Sequence, residues 1–378
     1  MKKLLLILIL TTGLLSPKNV HAIYDPTSVP NNKFGIHILD TSEIQKTAPL
    51  INSSGGDWGY VTIPIQAGDK DIVKWQAFMD QAKTLHLIPI IRLATQGDYF
   101  NTTQWSQPTE ADVLDFANFL NSLNWPTKNR YIIVFNEVNR ADEWGGTVDP
   151  GGYAQLLSYS VTTFKSDSSD FFILSAGMDN AAVNDKTDMN EYDYFSAMND
   201  AVPGIFGQID GIASHSYPNP GFSMPSSFLN TKTIDTFYYE KKYLENLGSK
   251  TLPVFITETG WDSDKINKSQ VGEYYKQAFS QVWNDPSVIA VTPFLLSAGA
   301  GPFSKFSFLN PDGSPNDVYN AYSSISKIKG SPLLAPSESL LPAQASIKIP
   351  VKNYSKDKLN ISNNLREVEN KIREFFTL

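Results

Sequence analysis

Residues 131–137 read Tyr-Ile-Ile-Val-Phe-Asn-Glu, an apolar run at 131–135 followed by an amide and a carboxylate. Its apolar residues follow one another without alternation, which is typical of a parallel strand covered on both faces. Seven similar runs occur along the chain. They occupy residues 34–39, 60–65, 87–93, 171–175, 209–213, 252–257 and 288–296.

Segments with the spacing of amphipathic helices accompany these runs. They cover residues 43–51, 71–85, 110–123, 152–165, 190–202, 233–247, 269–283 and 316–327. Eight strand–helix pairs predict an α/β protein with a closed (β/α)8 TIM barrel, here over residues 23–329. An open, doubly wound sheet is the alternative, but no GxGxxG or GxxxxGK[ST] phosphate-binding loop supports it.

Both ends of the chain are predicted to lie outside the barrel. The first residues predict a signal peptide over residues 1–22. It begins with Lys2 and Lys3, continues with an apolar stretch at 4–15 and ends with small residues before a predicted cleavage site after Ala22. A membrane anchor is the alternative, but the stretch is shorter than the roughly 20 residues that a spanning helix needs. Residues 330–378 predict a Pro-rich linker with a short amphipathic helix at 363–378. We therefore expect a secreted protein with no membrane span after signal removal.

The composition restricts the possible partners. A net charge of −8 argues against nucleic acid and anionic lipid and suits a neutral ligand. With no cysteine, the chain has no disulfide or thiol chemistry. One of its four histidines, His21, falls in the predicted signal peptide, so a histidine-rich zinc centre is not expected. We expect no cofactor, no metal and a monomer.

Two glutamates follow apolar runs on opposite sides of the predicted barrel. Glu137 follows the fourth run, after Asn136, and Glu258 follows the seventh, in the string Phe-Ile-Thr-Glu-Thr-Gly-Trp. Active sites of such barrels lie at the carboxyl ends of the strands, so the two side chains are predicted to face each other. Two carboxylates roughly 5–5.5 Å apart hydrolyse a glycosidic bond with retention, whereas an inverting pair stands roughly 6.5–9.5 Å apart. The acid of the pair must start protonated, and the nucleophile must be ionised.

Further residues are predicted to line the mouth and bind the sugar. Asn136 can hydrogen-bond a sugar 2-hydroxyl, and Tyr217 can donate a hydrogen bond to Glu258. His215 can contact the sugar or orient a carboxylate. The remaining candidates are Arg92 as a fixed positive charge, His37 as a pocket or structural residue, and Trp144 and Trp261 as stacking faces.

The order of three short motifs resembles that of clan A glycoside hydrolases, such as cellulases, mannanases and xylosidases. The motifs are Asn136-Glu137, His215-x-Tyr217 and Thr-Glu-Thr-Gly-Trp at 257–261. The resemblance spans residues 30–328. It implies that Glu137 is the acid/base and Glu258 the nucleophile. It also implies that Asn136 binds the 2-hydroxyl and that Tyr217 contacts the nucleophile.

The chain departs from the clan pattern at two positions. The eighth run lacks the tryptophan that many members place under the sugar, and Phe294 or Phe303 is the expected substitute. Arg92 follows the third run, whereas the clan's arginine usually follows the second. The two glutamates themselves still match the clan pattern.

The sequence therefore predicts a retaining O-glycosyl hydrolase that cleaves a β-linked glycan or glycoside, such as a β-glucan, mannan or xylan. Two alternatives stay open. One is a catalytically weak or silent carbohydrate-binding barrel, and the other is a transglycosylase that uses the same pair. The sugar, the linkage and the choice between endo and exo action are not determined by the sequence.

Overall fold

The computed structural model describes residues 23–99, 102–299 and 301–336. The predicted signal peptide and the predicted helix at 363–378 lie outside these residues. Eight strands and nine helices follow one another through the described chain. The strands are β1 (Gly35–His37), β2 (Gly59–Gln66), β3 (Leu87–Ala94), β4 (Arg130–Ile133), β5 (Phe171–Leu174), β6 (Ile212–His215), β7 (Val254–Glu258) and β8 (Val288–Val291). The helices are α1 (Ile44–Ile51), α2 (Ile72–Thr84), α3 (Glu110–Asn121), α4 (Pro150–Asp167), α5 (Glu191–Ala201), α6 (Ile205–Gln208), α7 (Thr236–Asn246), α8 (Lys268–Gln281) and α9 (Asp317–Ser324).

All strand pairs are parallel and follow chain order. One group runs from β1 to β5 and the other from β6 to β8. Single parallel bridges join the two groups at both seams, between Leu174 and Gly211 and between Phe34 and Val291. The predicted (β/α)8 barrel is thus confirmed.

Each predicted apolar run overlaps a strand, and the differences lie at the strand ends. The fourth run, 131–135, loses its last two residues, because β4 stops at Ile133; Asn136 and Glu137 lie in the loop that follows. The eighth run is shortened in the same way, since β8 stops at Val291 and Phe294 lies beyond it. Helix α6 is a four-residue element that was not predicted, because it is too short for a periodic pattern.

Side-chain caps fix where several helices begin. Asp71 accepts hydrogen bonds from the backbone N–H groups of Val73 and Lys74 at the start of α2. Thr109 and Asp112 form a reciprocal capping box at the start of α3. These contacts satisfy N–H groups that have no partner within the helix.

The barrel interior is filled by large side chains at its lower end. The rings of Tyr60, Tyr131, Phe172 and Phe255 contact one another with centroid distances of 5.0–6.4 Å. Side chains alternate along a barrel strand, so Arg92 of β3 points to the same interior two residues above Ile90. Polar groups therefore begin where the apolar packing ends, toward the carboxyl ends of the strands. Among the described residues, no helix is both long enough and apolar enough to cross a bilayer.

Candidate active site

Glu137 and Glu258 meet at the carboxyl ends of the strands. Glu258 is the last residue of β7, whereas Glu137 lies in the loop after β4 with a φ of 34°. Non-glycine residues rarely adopt positive φ, and such backbone is held by its surroundings. Here the Glu137 N–H donates to the Gly177 carbonyl over 3.0 Å. One carboxylate oxygen of each glutamate and one ring nitrogen of His215 all lie within 4.8 Å of one another.

Glu258 is 7% exposed and is surrounded by donors and positive charge. Tyr217 Oη donates a hydrogen bond of 3.0 Å to Glu258 Oε2. Arg92 Nη1 lies 3.5 Å from Glu258 Oε1. Burial and the charge of Glu258 raise the pKa of Tyr217 well above its usual value, so this hydroxyl keeps its proton. These contacts stabilise an ionised Glu258.

Glu137 forms a different set of contacts. His215 Nδ1 lies 3.0 Å from Glu137 Oε1, and Arg140 Nη1 lies 3.4 Å from Glu137 Oε2. Burial alone raises the pKa of Glu137, but the hydrogen bond and charge of His215, aided by Arg140, outweigh burial and lower it. Conversely, burial lowers the pKa of His215, but the charges of Glu258 and Glu137 outweigh it and raise it.

The lowered pKa of Glu137 and the raised pKa of His215 favour opposite charges on the two side chains. Glu137 Oε1 and His215 Nδ1 are close enough for a proton to pass between them, and the protonated Glu137 that the first step requires stays a prediction. Among the described residues, the side chains of Glu137, His215 and Glu258 also lie close enough to one another to bind one metal ion together. Arg92 and Arg140 already balance the charge of the two carboxylates, which leaves little attraction for a cation.

The site opens into a cleft of about 440 Å³. The structure brings five of the residues predicted from the sequence together in the lining of this cleft. They are Arg92, Asn136, Glu137, Tyr217 and Glu258. Arg92 lies on the third strand, as counted from the sequence, and still reaches Glu258.

Two predicted stacking faces do not reach the cleft. Trp144 and Trp261 are each 1% exposed. Trp144 packs edge-on against Tyr153 with ring centroids 5.5 Å apart, and Trp261 Nε1 donates to the Met224 carbonyl over 2.8 Å. Their assignment to sugar binding is wrong, because both rings are covered by the barrel's outer core.

The two histidines also lie behind the cleft surface. His215 is 1% exposed, and its contact is with Glu137, so of the two roles predicted it takes the orientation of a carboxylate. His37 is fully buried, with Nε2 3.7 Å from Glu258 Oε1. Burial and the charge of Arg92 lower its pKa well below the usual value, so the ring is neutral. The placement of His37 in the pocket lining is wrong; it packs beneath Glu258.

Aromatic residues from loops form much of the cleft wall. Phe294 and Phe303, the expected substitutes for the absent tryptophan, both line it with ring centroids 5.2 Å apart. Tyr99 and Trp105, from the loop between β3 and α3, also line the cleft and were missed. This loop has no periodic pattern that would mark it.

Arg140, Asp142 and Glu143, which also line the cleft, were not assigned from the sequence. Arg140 pairs with Asp142 at 2.8 Å and lies 3.6 Å from Asp179. Glu143 ends a short 3₁₀ turn at Ala141–Glu143 and lines the same wall. Burial, and then the charge of Glu137, raise the pKa of Glu143 to about 7. The sequence around these residues does not mark them as functional, because charged residues in loops are usually solvated.

A parallel barrel with two carboxylates converging at its mouth is the arrangement that (β/α)8 glycoside hydrolases have. Residues 94–322, more than half of the chain, match the model of the glycosyl hydrolase catalytic core family, and the chain belongs to that family. Comparison with the curated proteins finds no match.

Solved structures with the same fold include clan A glycoside hydrolases, in agreement with the resemblance of the sequence motifs. A family 39 glycoside hydrolase from Bacteroides cellulosilyticus WH2 is 18% identical with a TM-score of 0.54, over 80% of this chain and 64% of that chain. The present chain thus spans less than two thirds of that protein's length. A GH128 (subgroup II) endo-β-1,3-glucanase from Sorangium cellulosum is 16% identical with a TM-score of 0.52, over 78% and 98%. A structure from a study of two fungal β-1,4-galactanases is 10% identical with a TM-score of 0.55, and the match covers 78% of this chain and 100% of that chain. At these identities the likeness establishes the fold.

Proposed function

We propose that this protein hydrolyses a β-linked glycan with retention of configuration, with Glu258 as nucleophile and Glu137 as general acid/base. The observation that carries the proposal is the separation of the two carboxylates, of which one oxygen each lies within 4.8 Å of the other. This supports a retaining pair, for which the separation is roughly 5–5.5 Å, over an inverting pair, for which it is roughly 6.5–9.5 Å.

In the first step, Glu258 attacks the anomeric carbon and forms a covalent bond to the sugar. The bond between that carbon and the leaving oxygen breaks, and the oxygen takes a proton from Glu137. In the second step, Glu137 removes a proton from water as the water attacks the same carbon, which frees Glu258. Tyr217 and Arg92 support the nucleophile's role, because their contacts favour the ionised carboxylate.

The proton for the first step comes from the pair formed by His215 and Glu137. His215 Nδ1 and Glu137 Oε1 lie 3.0 Å apart, so one proton can pass between them. A glycan that fills the cleft excludes water from the pair. In a less polar environment, a neutral carboxyl next to a neutral imidazole is favoured over two charges, so the proton moves to Glu137. Substrate binding thus favours the protonated Glu137 that the first step requires.

The cleft wall favours a neutral glycan. Its lining holds five carboxylates, namely Glu137, Asp142, Glu143, Asp179 and Glu258, against three cations, namely Arg92, Arg140 and Lys305. Glu143, with its pKa of about 7, is only partly charged at neutral pH, so the lining has no net positive charge that would attract an acidic sugar. Trp105 and Tyr99 offer ring faces to a pyranose. The β-linkage is proposed because the similar endo-β-1,3-glucanase and β-1,4-galactanases carry such a linkage in their names. We further propose that the protein acts as a monomer outside the cytoplasm, after removal of residues 1–22.

The test is the stereochemistry of the first product. Purified protein is incubated with a panel of 4-nitrophenyl β-glycosides and with β-glucan, mannan, xylan and galactan. Proton NMR then follows the anomeric signal of the sugar released from whichever substrate is cleaved. We expect the β-anomer to form first and then mutarotate. An α-anomer as first product would exclude retention, and transfer of the sugar to an added acceptor at high yield would favour the transglycosylase. Binding without cleavage of any substrate would favour the silent carbohydrate-binding barrel.

A further inference from the structure

The guanidinium of Arg140 contacts three carboxylates at the cleft wall. Its Nε lies 3.1 Å from Asp142 Oδ1 and its Nη2 lies 2.8 Å from Asp142 Oδ2, which makes a bidentate pair. The remaining nitrogen, Nη1, lies 3.4 Å from Glu137 Oε2 and 3.6 Å from Asp179 Oδ2. Asp142 therefore fixes the plane of the guanidinium, and Nη1 is directed toward Glu137.

The backbone of Arg140 is also held in place. Its N–H donates to the Glu137 carbonyl over 2.9 Å, so the two residues close one turn. The next N–H, that of Ala141, donates to the Thr187 carbonyl over 2.7 Å, and Arg140 pairs with Asp188 in a single antiparallel bridge. The position of Arg140 relative to Glu137 is thus determined by the fold.

The two carboxylate oxygens of Glu137 have different neighbours. His215 Nδ1 lies 3.0 Å from Oε1, and His215 is 1% exposed, so this contact comes from behind the cleft surface. Arg140 lines the cleft and contacts Oε2. A leaving group in the cleft therefore meets Oε2, and Arg140 is the cation beside that oxygen.

Arg140 keeps its charge in this setting. Burial lowers the pKa of its guanidinium, but the charge of Glu137 and the contact with Asp142 outweigh burial and raise it. In turn, burial raises the pKa of Glu137, whereas the hydrogen bond and charge of His215, followed by the charge of Arg140, lower it. An acid that gives up its proton becomes an anion, and a cation held beside it stabilises that anion.

We propose that Arg140 is a positioning residue of the general acid, which Asp142 holds at Glu137 Oε2 so that its charge stabilises the carboxylate as the proton passes to the leaving oxygen. The inference rests on the proposed function, because it needs Glu137 as the acid. In this step the O–H bond of Glu137 breaks and a new O–H bond forms on the leaving oxygen. That oxygen keeps the electron pair of its broken bond to the anomeric carbon. Arg140 itself transfers no proton.

The experiment compares two aryl β-glycosides of the preferred sugar. A phenyl glycoside needs a proton on its leaving oxygen, whereas 2,4-dinitrophenolate leaves without one. For Arg140→Gln we expect kcat/KM on the phenyl glycoside to fall about fivefold, measured at a pH where Glu137 is protonated in both proteins, because the acid is weaker. On the 2,4-dinitrophenyl glycoside the variant and the wild type should agree within about twofold.

The pH profile on the phenyl glycoside provides a second readout. Its high-pH limb reports the loss of the proton of Glu137. Removal of a positive charge favours the protonated form, so the limb of Arg140→Gln should lie about one pH unit above that of the wild type. The other charged groups around Glu137 and Arg140 are the same in both proteins, so the shift is due to Arg140. They are Arg92 of β3, Asp142 and Glu143 after β4, Asp179 after β5, His215 of β6 and Glu258 of β7.

Two further variants serve as controls. Arg130→Gln removes a cation at the opposite end of β4 and should leave both readouts unchanged. Arg140→Lys keeps a charge but lacks the planar fork that binds Asp142 through two N–H groups. Its high-pH limb should therefore lie above that of the wild type and below that of Arg140→Gln. Melting curves verify that each variant is folded.

Two results would overturn the inference alone, given an active wild type. They are equal losses of Arg140→Gln on the two glycosides, and a high-pH limb that does not move upward. If Arg140→Gln does not fold, the limb of Arg140→Lys decides in the same way. A wild type that cleaves no glycoside would overturn the proposed function. An active wild type that Glu137→Gln does not slow on the phenyl glycoside would overturn the assignment of the acid, and in both of these cases the inference falls as well.

Discussion

Tyr217 Oη donates a hydrogen bond of 3.0 Å to Glu258 Oε2, and this bond joins the end of β6 to the end of β7. Both side chains are nearly inaccessible to water. A hydrogen bond to a buried carboxylate is stronger than one to a neutral group. The tyrosine therefore stabilises the anion that must attack the sugar, and it places that anion toward the cleft.

Replacing this tyrosine tests that relationship. Tyr217→Phe keeps the ring and removes the donor, and a hydrogen bond to a charged group contributes about 1.5–3 kcal/mol. We expect kcat/KM to fall roughly 10- to 150-fold, measured on the best 4-nitrophenyl glycoside. Tyr238→Phe, on the exposed surface of α7, is the matched control. Equal activity of Tyr217→Phe and the control would contradict the role of this hydrogen bond.

Chemical rescue distinguishes the two glutamates. Glu258→Ala and Glu137→Ala should both lose activity by several orders of magnitude, and azide should restore turnover in both. In Glu258→Ala, azide replaces the nucleophile and gives an α-glycosyl azide. In Glu137→Ala, azide attacks the glycosyl-enzyme and gives a β-glycosyl azide. Proton NMR of the azide product decides, and a reversed pattern would exchange the two roles.

Two tryptophans should respond in opposite ways to substitution. Trp105→Ala removes a ring from the cleft wall, so KM should rise on oligosaccharides while the melting temperature changes little. Trp144→Ala removes a buried ring and should cost about 3–5 kcal/mol of folding free energy. Steady-state kinetics and thermal denaturation of both variants provide the comparison. A large rise in KM for a well-folded Trp144→Ala would contradict its placement in the core.

A buried pair of acids predicts how stability depends on pH. Glu191 of α5 and Glu240 of α7 are 1% and 0% exposed. Burial and the charge of Glu240 raise the pKa of Glu191 well above its usual value, and burial raises the pKa of Glu240 to about 7. The folded protein therefore binds more protons than the unfolded chain above a pH of about 4.5, so stability falls as the pH rises from there through 7.

Glu240→Gln removes one of these acids without changing its size. We expect the melting temperature of the wild type to decline between pH 4.5 and 8 more steeply than that of Glu240→Gln. The variant should be the more stable of the two at pH 8. Glu245→Gln, on the exposed face of the same helix, should follow the wild type. Identical pH profiles for wild type and Glu240→Gln would show that burial does not raise the pKa of Glu240 in the folded protein.

Much of the fold could be predicted from the continuous apolar runs. A strand of a closed barrel is covered on both faces, so its residues are apolar without alternation. The positions of Glu137 and Glu258 follow from the same runs, since a residue just past a barrel strand must lie at the mouth. Trp144 and Trp261 were misassigned because residue type does not tell whether a ring faces solvent or core. His215 was ambiguous for a different reason. Its pKa depends on two carboxylates that are distant in sequence.

Loop residues could not be predicted from any pattern. Arg140, Glu143 and Trp105 reach the cleft through turns whose backbone hydrogen bonds depend on tertiary contacts. The sequence offers no period in such segments, and charged residues there are solvated more often than not. The structure is therefore needed to find the groups that surround the two glutamates.

The most direct test of the account is the identity of the residue that forms a covalent bond to the sugar. The protein is incubated with a 2,4-dinitrophenyl 2-deoxy-2-fluoro-β-glycoside of the preferred sugar, which slows the second step and traps the glycosyl-enzyme. Peptide mass spectrometry then locates the sugar. The account predicts one sugar per chain, attached to Glu258. A sugar attached to Glu137, or rapid turnover of other substrates with no trapped intermediate on any residue, would contradict it.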